Sequence, residues 1–536
     1  MAEKYFKQPE KAQQHFANVP TADIERSRFD RSHGRKTTFD AGELIPVYVD
    51  EVLPGDSFQM KTTAFCRLAT PLKPLMDNMQ VDIHYFFVPY RLVWFNWERF
   101  MGERTNPDDT IDQYRIPTTT IKLKTLDTWH LAHQLGLPMR KTNVAATDCP
   151  VTVSALPFRA YVLIFNDWYR EQNTQAWQPF SLGDGPDAWD GYAVLRRNKR
   201  HDYFTSCLPW PQKGEPVYVP LGVDAPILPS GTDPSLVSVN NTTPLKIQAT
   251  TSGVSSAATF SPLPGGAHVV EPLHWSQTGM IADLTAATAM TINDLRTAFQ
   301  IQRLLERDAR SGTRYVEVLL GHFGVVSPDA RLQRPEYLGG GTGNISINPI
   351  AQTVSDADAP LANLAAYGTG VGNGGFSKSF TEHGVVIGCL SVRSDKSYQQ
   401  GIERFWSRQT RYDFYWPALA HLGEQAVLNK EIFYRSSAMD NDVFGYQERY
   451  AEYRYKPSTI AGVFHSEYPE SLDMWHLAQD FVQVPPLNWG FFLEFTPLDR
   501  CIAVPSEPHF LCDLWFDLKC ERPMPIYSVP GMIDHF

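Results

Sequence analysis

Five cations, Arg26, Arg28, Arg31, Arg35 and Lys36, stand within eleven residues with only Asp30 to oppose them. Cationic side chains at that density attract phosphates, and with aromatic rings that stack on bases they hold single strands without sequence preference. The cluster ends a polar stretch, residues 1–40, that reads as an N-terminal arm. It is either a solvated tail or a strap that lies on a neighbouring subunit or touches phosphates. Other candidate chemistry is weaker. His130 and His133 have the spacing of helical metal ligands, but no carboxylate or third histidine sits at a telling distance, so packing is the expected role. Asp184, Asp187 and Asp190 recur every third residue, unlike the alternating ligands of a calcium loop, which predicts a solvated turn. Gly370-Val371-Gly372-Asn373-Gly374-Gly375 matches GxGxxG literally. A dinucleotide site needs a strand before those glycines and a helix after them, whereas here a Gly/Ala loop precedes and a strand over 385–392 follows. No GxSxG, HExxH, Walker-A or CxxC pattern occurs. His421, Glu424, Glu467 and Asp473 are isolated polar residues. Nothing predicts an enzyme, a metal centre or a cofactor.

The elements that would position the cations are strands. Phe58, Met60, Thr62, Ala64, Cys66 and Leu68 alternate with Gln59, Lys61, Thr63 and Arg67. Met79, Val81, Ile83, Tyr85 and Phe87 alternate with Gln80, Asp82 and His84. A period of two marks strands with one face on a core. Residues 44–52 make a third candidate, with Pro54-Gly55-Asp56 as the following turn and Pro46 suited to a sheet edge. Residues 385–392, 490–495 and 510–520 read as strands of the same style, so one β core with insertions is expected. Helices are predicted over 157–173, with Pro157 in its first turn, and over 291–310, started by Thr291 and Asp294 and stopped by Gly312. Residues 315–320 read as a strand. Leu126-Asp127-Thr128-Trp129-His130-Leu131-Ala132 is echoed at Leu472-Asp473-Met474-Trp475-His476-Leu477-Ala478, each read as a turn capped by its Asp. Two low-charge stretches, 213–275 and 339–380, read as excursions from the sheet. The first is an ordered insertion with hairpins near 245–247 and 267–270, the second a glycine-rich loop.

Composition narrows the class. Of 536 residues 43% are hydrophobic and 20% charged, enough for a sizeable core. Forty prolines imply many loops and short strands rather than helical bundles. A net charge of −11 confines any nucleic-acid contact to a local patch. Seven cysteines, an odd number without close pairs, suggest buried thiols in a reducing cytoplasm. No apolar N-terminal segment or run of 18 apolar residues predicts a secretory signal or a membrane span.

Several longer strings then coincide: Phe29-Asp30-Arg31-Ser32, Met76-Asp77-Asn78, Phe86-Phe87-Val88-Pro89-Tyr90-Arg91-Leu92, residues 307–315, His322-Phe323-Gly324-Val325, residues 329–340, Gly423-Glu424-Gln425, Phe444-Gly445-Tyr446-Gln447-Glu448, Tyr453-Arg454-Tyr455 and the terminal 530–536. In this order they resemble the major capsid proteins of gokushoviruses, small single-stranded DNA bacteriophages of the Microviridae. The similarity runs nearly end to end, with nothing matched word for word in 213–275 and 340–380. It implies a mainly β fold, an eight-stranded antiparallel jelly roll with large loop and helical insertions in a single domain over 41–536. It also implies a structural subunit of the virion, assembled in the bacterial cytoplasm through pentamers into a T=1 icosahedral shell of sixty copies around circular single-stranded DNA. Implied partners are an internal scaffolding protein, a minor pilot protein, a small basic DNA-binding protein and a host cell-surface receptor. The receptor would be met by threefold protrusions formed from about 213–275. Arg26, Arg28, Arg31, Arg35 and Lys36 remain the candidate DNA contacts. Thirteen Trp and 23 Tyr also suit a carbohydrate-binding or carbohydrate-active β protein. A cupin-like enzyme would need clustered histidines, which are not found.

Overall fold

A computed structural model describes residues 24–103, 113–127, 129–140, 148–217, 227–229, 235–238, 241–245, 273–277, 280–282, 292–311, 315–323, 333–353 and 361–527. These fall in two compact units, Met1–Pro211 with Thr313–Phe536, and Gln212–Gly312. In the first, nine described strands form one antiparallel sheet. They are β1 (Ser27–Asp30), β2 (His33–Phe39), β3 (Ile45–Val52), β4 (Ser57–Leu68), β5 (Met79–Pro89), β6 (Glu336–Ala351), β7 (Leu364–Ser379), β8 (Gly384–Ser394) and β9 (Phe510–Arg522). Their order is β1-β9-β4-β7-β6-β5-β8-β3, with β2 also on β9. The sheet curls into a half-barrel of jelly-roll type. Its far ends approach, since Tyr48 of β3 lies 5.4 Å from Phe516 of β9, ring centre to ring centre.

Alternation explains which strands face what. On β4 the residues Phe58, Met60, Thr62, Ala64, Cys66 and Leu68 are buried and their neighbours are not. On β5 and β8 both faces are covered. Met79, Val81, Ile83, Tyr85 and Phe87 line the inside of the curl with Val386, Leu390 and Val392. Outside, Phe86, Val88, Val385, Ile387 and Cys389 meet helix α1 (Leu156–Ile164). That helix has proline in its first turn and runs on as a π turn over Phe165–Tyr169. It is buried all round rather than amphipathic, because chain segments cover its other side. Pro46 sits on the edge strand β3, where a missing N–H costs no ladder bond.

Several expectations fail for identifiable reasons. Residues 27–39 are not a free arm but β1 and β2, paired with β9. The stretch 339–380 is not a loop, for β6 and β7 lie in mid-sheet. Residues 315–320 fall in an α-helix, Tyr315–Phe323, since a short apolar run does not fix its own period. Residues 490–495 open with the short helix Trp489–Phe492, whose cap is the Asn488 side chain accepting from the Phe491 N–H at 3.2 Å. Asp187 is no solvated turn residue either. It accepts from Arg159 Nε at 2.8 Å and Nη2 at 2.7 Å, and that guanidinium is fully buried.

In the second unit, Ser235–Ser238 pairs with Asn241–Leu245 and Leu273–Gln277, and Ile227–Pro229 pairs with Met280–Ala282. A long helix, α2 (Ile292–Ser311), follows. Its apolar residues Ile292 and Phe299 are exposed. Thr291, Gly312, residues 246–247 and residues 267–270 lie outside the described residues.

A charged cluster sits beside the outer face of β5. The Asp82 carboxylate accepts from Arg197 Nη1 at 2.7 Å, Arg393 Nη2 at 2.8 Å and Thr342 Oγ1 at 2.8 Å. Burial and then the charge of Arg197 push the pKa of neighbouring His84 down to about 4. The folded chain therefore keeps His84 neutral while the unfolded chain protonates it below about 6.5. Between those values the unfolded state binds the extra proton, so stability falls on acidification by up to about 1.4 kcal/mol per pH unit from this group. Melting between pH 7 and 4.5 should show the wild type losing more than His84→Gln, and parallel pH profiles would remove His84 from the account.

Candidate nucleic-acid interface

The N-terminal cations separate into two kinds. Arg26 donates to the Gly55 carbonyl, and Arg31 grips Asp50, Nη2 to Oδ1 at 3.0 Å. Arg35 donates to the carbonyls of Val47 and Gln134 and tethers β2 to β3 across the open seam of the barrel. These three fasten the polypeptide to itself. Arg28 is exposed on β1 with no ion pair among the described residues. Lys36 meets Asp513 only at 3.4 Å, with both side chains largely in solvent. Arg26 is exposed as well, and a carbonyl leaves its charge in place, so Arg26, Arg28 and Lys36 keep charge to offer a partner, while Arg31 is paired with Asp50 and Arg35 is half-buried.

A second surface carries what the first lacks. Arg404-Phe405-Trp406-Ser407-Arg408-Gln409-Thr410-Arg411-Tyr412-Asp413-Phe414-Tyr415-Trp416 holds three arginines and six aromatics. It folds as 3-10 turns, Arg404–Ser407 and Arg411–Asp413. Asp413 caps the second turn, accepting from the N–H groups of Thr410 at 2.7 Å and Gln409 at 3.0 Å, which hold its pKa below the usual carboxylate range. Such turns have no period that could hide a row of rings. Trp406 is 73% exposed, and Tyr412, Phe414, Tyr415 and Trp416 are each about half exposed. The arginines prop the rings: Arg408 lies 4.4 Å from the centre of Tyr453 and 5.3 Å from that of Phe414, and Arg411 4.8 Å from Tyr412. Arg404 and Arg408 are held by Glu431 and Glu452 and largely buried, so Arg411 over Tyr412 is the guanidinium–ring pair reachable from solvent, the pairing that attracts a phosphate and stacks a base. The sequence signal was the density of Arg and aromatic residues without any strand or helix period.

A third feature is apolar. On the outer face of β4, β7 and β9, Phe65, Val371, Leu511 and Trp515 stand 39–55% exposed among the described residues. Exposed rings and aliphatic groups on a sheet suit contact between subunits.

Among the described residues no group of three His, Cys, Asp or Glu is placed to hold a metal ion. All seven cysteines are free, and all but Cys149 are buried. No described helix is long and apolar enough to cross a membrane.

Comparison with known proteins gives a consistent result. Residues 17–532 match the family described as "Capsid protein (F protein)". The chain is 47% identical to "Capsid protein VP1" of Bdellovibrio phage phiMH2K, over 98% of each chain. It is 42% identical to the protein of that name from Chlamydia phage 1, over 98% of this chain and 99% of the relative. For the one from Spiroplasma virus 4 the figure is 36%, over 95% and 96%.

Proposed function

The chain belongs to the phage capsid protein (F protein) family, and on that premise we propose that its shell is a T=1 icosahedron of sixty copies enclosing circular single-stranded DNA. As a capsid protein it is a structural, non-enzymatic part of the virion that assembles with copies of itself. The enclosed strand lies on the Arg404–Trp416 surface, with Arg28 and Lys36 adding charge. The observation that carries this reading is the set of exposed rings with Arg411 stacked on Tyr412 among them. The same rings account for part of the aromatic content that suits a carbohydrate-binding protein. Neighbouring subunits cover the outer face of β4, β7 and β9. Because the chain is acidic, a small basic protein neutralises most of the genome. An internal scaffolding protein guides assembly and a minor pilot protein travels with the genome. The 213–275 insertion forms threefold protrusions that meet a host receptor.

Trp406→Ala with Arg411→Ala should leave assembly intact and weaken binding of oligo(dT) by about 10- to 100-fold, since each lost stack removes about 1–3 kcal/mol. Arg28→Ala with Lys36→Ala should lower the salt dependence of that binding by about 1.4 in logarithmic slope, at an unchanged melting temperature. Filter binding across a salt series reads both. Subunits that bind oligo(dT) normally yet no longer form particles would reassign the Trp406 surface to contacts between copies.

A further inference from the structure

A cavity of about 620 Å³ in the first unit is lined by Lys199, Arg500, Phe481, Phe491, Phe495 and Asn488, among others. Lys199 is 7% exposed. Its ammonium lies 4.3 Å from the centre of the Phe491 ring and makes no hydrogen bond or ion pair with a described residue. The nearby carboxylates act on it by charge without a direct contact, and each has another partner, although Glu494 Oε2 is buried without one. Glu494 holds Lys396 and accepts from Thr496 Oγ1 at 2.6 Å, and Asp202 accepts from the Tyr398 hydroxyl at 2.6 Å. Arg500 gives Nη2 to the carbonyls of His476 and Ala478, while its buried Nε has no partner. Asp480, also in the lining, takes a hydrogen bond from Gln400. A mostly buried ammonium that no carboxylate touches directly gains when an anion arrives. The volume lies within the range that holds a small organic ligand and far exceeds what an isolated phosphate fills. Phenyl and proline walls add flat apolar surface for a planar ring, and the Asn488 side chain adds a polar group.

We propose that this cavity takes one nucleotide, with its phosphate on Lys199 and Arg500 and its base against Phe481 and Phe495. The inference rests on the reading that the shell encloses single-stranded DNA, and it adds a seat that fixes one nucleotide of the strand in each subunit.

The test uses the full chain freed of DNA, titrated with each of the four deoxynucleoside monophosphates and separately with inorganic phosphate. One mononucleotide should bind per chain, phosphate at least tenfold more weakly, and Lys199→Met should lose at least tenfold while Lys199→Arg keeps most binding. Burial pushes the Lys199 pKa down to about 8, so the free amine is available for acylation near neutral pH. Saturating mononucleotide should therefore slow labelling of Lys199 in the wild type, a readout that needs no variant to fold. No mononucleotide binding, equal binding by Lys199→Met, equal affinity for phosphate, or unprotected Lys199 would each overturn the proposal. Oligo(dT) bound through Trp406 with no effect at Lys199 would overturn this seat alone. Mononucleotide at Lys199 in a particle that encloses no single strand would keep the seat and remove the enclosure.

Discussion

Asp82→Ala should destabilise the subunit by about 3–5 kcal/mol, because it strands two buried guanidiniums around one missing carboxylate. Arg197 and Arg393 are only 13% and 12% exposed, and both aim at the same oxygen of Asp82. Among the described residues Arg393 has a buried Nε without a partner and besides Asp82 reaches only the Asn198 carbonyl at 3.3 Å, and Arg197 keeps Ser391 Oγ at 2.8 Å, neither of which replaces a carboxylate's charge. Burial alone would raise the Asp82 pKa, but the charges of Arg197 and Arg393 win and hold it below the ordinary value. A lowered folded pKa adds stability above the unfolded value near 4 and loses it as pH falls through the folded one. Asp82 therefore supports the fold at neutral pH, where the melt is to be run. Asp82→Asn keeps an oxygen for one guanidinium and should fall between wild type and Ala. The cluster joins β5 to β8 through Arg393 and to the segment carrying Arg197, so the same variant should also reduce particle yield. An Ala variant that melts within a degree of wild type would show that water or rearrangement replaces the carboxylate, and the cluster would then be ornamental.

How much of this was legible beforehand depends on how far each residue's partner lies along the chain. The alternation of β4, β5 and β9 is a local signal, and it held because one side of each strand faces the curl. A helix starting near Pro157 was also legible, though its reading as amphipathic over 157–173 missed that Leu156–Ile164 is buried all round and gives way to a π turn. What failed was decided at long range. Arg31 and Arg35 look available in sequence, yet their acceptors are Asp50, Val47 and Gln134. Asp187 looks solvated until Arg159 reaches it. The two Trp-His-Leu-Ala turns are instructive in detail. Asp was expected to cap both, but in the first the cap is His130, whose Nδ1 accepts from the Ala132 N–H at 3.0 Å, while the second turn, Asp473–Trp475, has Leu472 at its start and no side-chain cap. The two copies share the burial of Leu131 and Leu477 but not the local fold, since Leu131 opens a helix and Leu477 lies beyond its turn. The Arg404–Trp416 surface was overlooked because it has no period, and period was the main signal in use. Rings meant for a core fall into a stripe, whereas rings meant for a partner need only be numerous and close to charge.

Glycine supplies the other large expected effect. Gly341→Val should prevent the sheet from forming, with no soluble native protein or a loss beyond about 4 kcal/mol, well outside the usual range for one substitution. A Cβ built on Gly341 would stand 1.7 Å from the carbonyl oxygen of Asn373, and one on Gly343 would stand 2.2 Å from that of Val371. Both obstacles are backbone of β7, which no rotamer change can move aside, so β6 and β7 would have to part. These strands lie mid-sheet, with β5 beyond one and β4 beyond the other, so parting them divides the core. The glycines that made 339–380 resemble a loop are thus what lets two strands approach this closely. Gly372 is the control. Its Cβ would meet Ile83 Cδ1 and Val81 Cγ1 at 3.6 Å, an ordinary van der Waals distance. Gly372→Ala should therefore fold, changing stability by no more than about 1 kcal/mol as lost chain entropy and new contact oppose lost fit. Soluble yield, circular dichroism and a melt of the two variants decide it. If Gly341→Val folds like the wild type while Gly372→Ala does not, close approach is not the reason for glycine here, and the pairing of β6 with β7 would have to be redrawn.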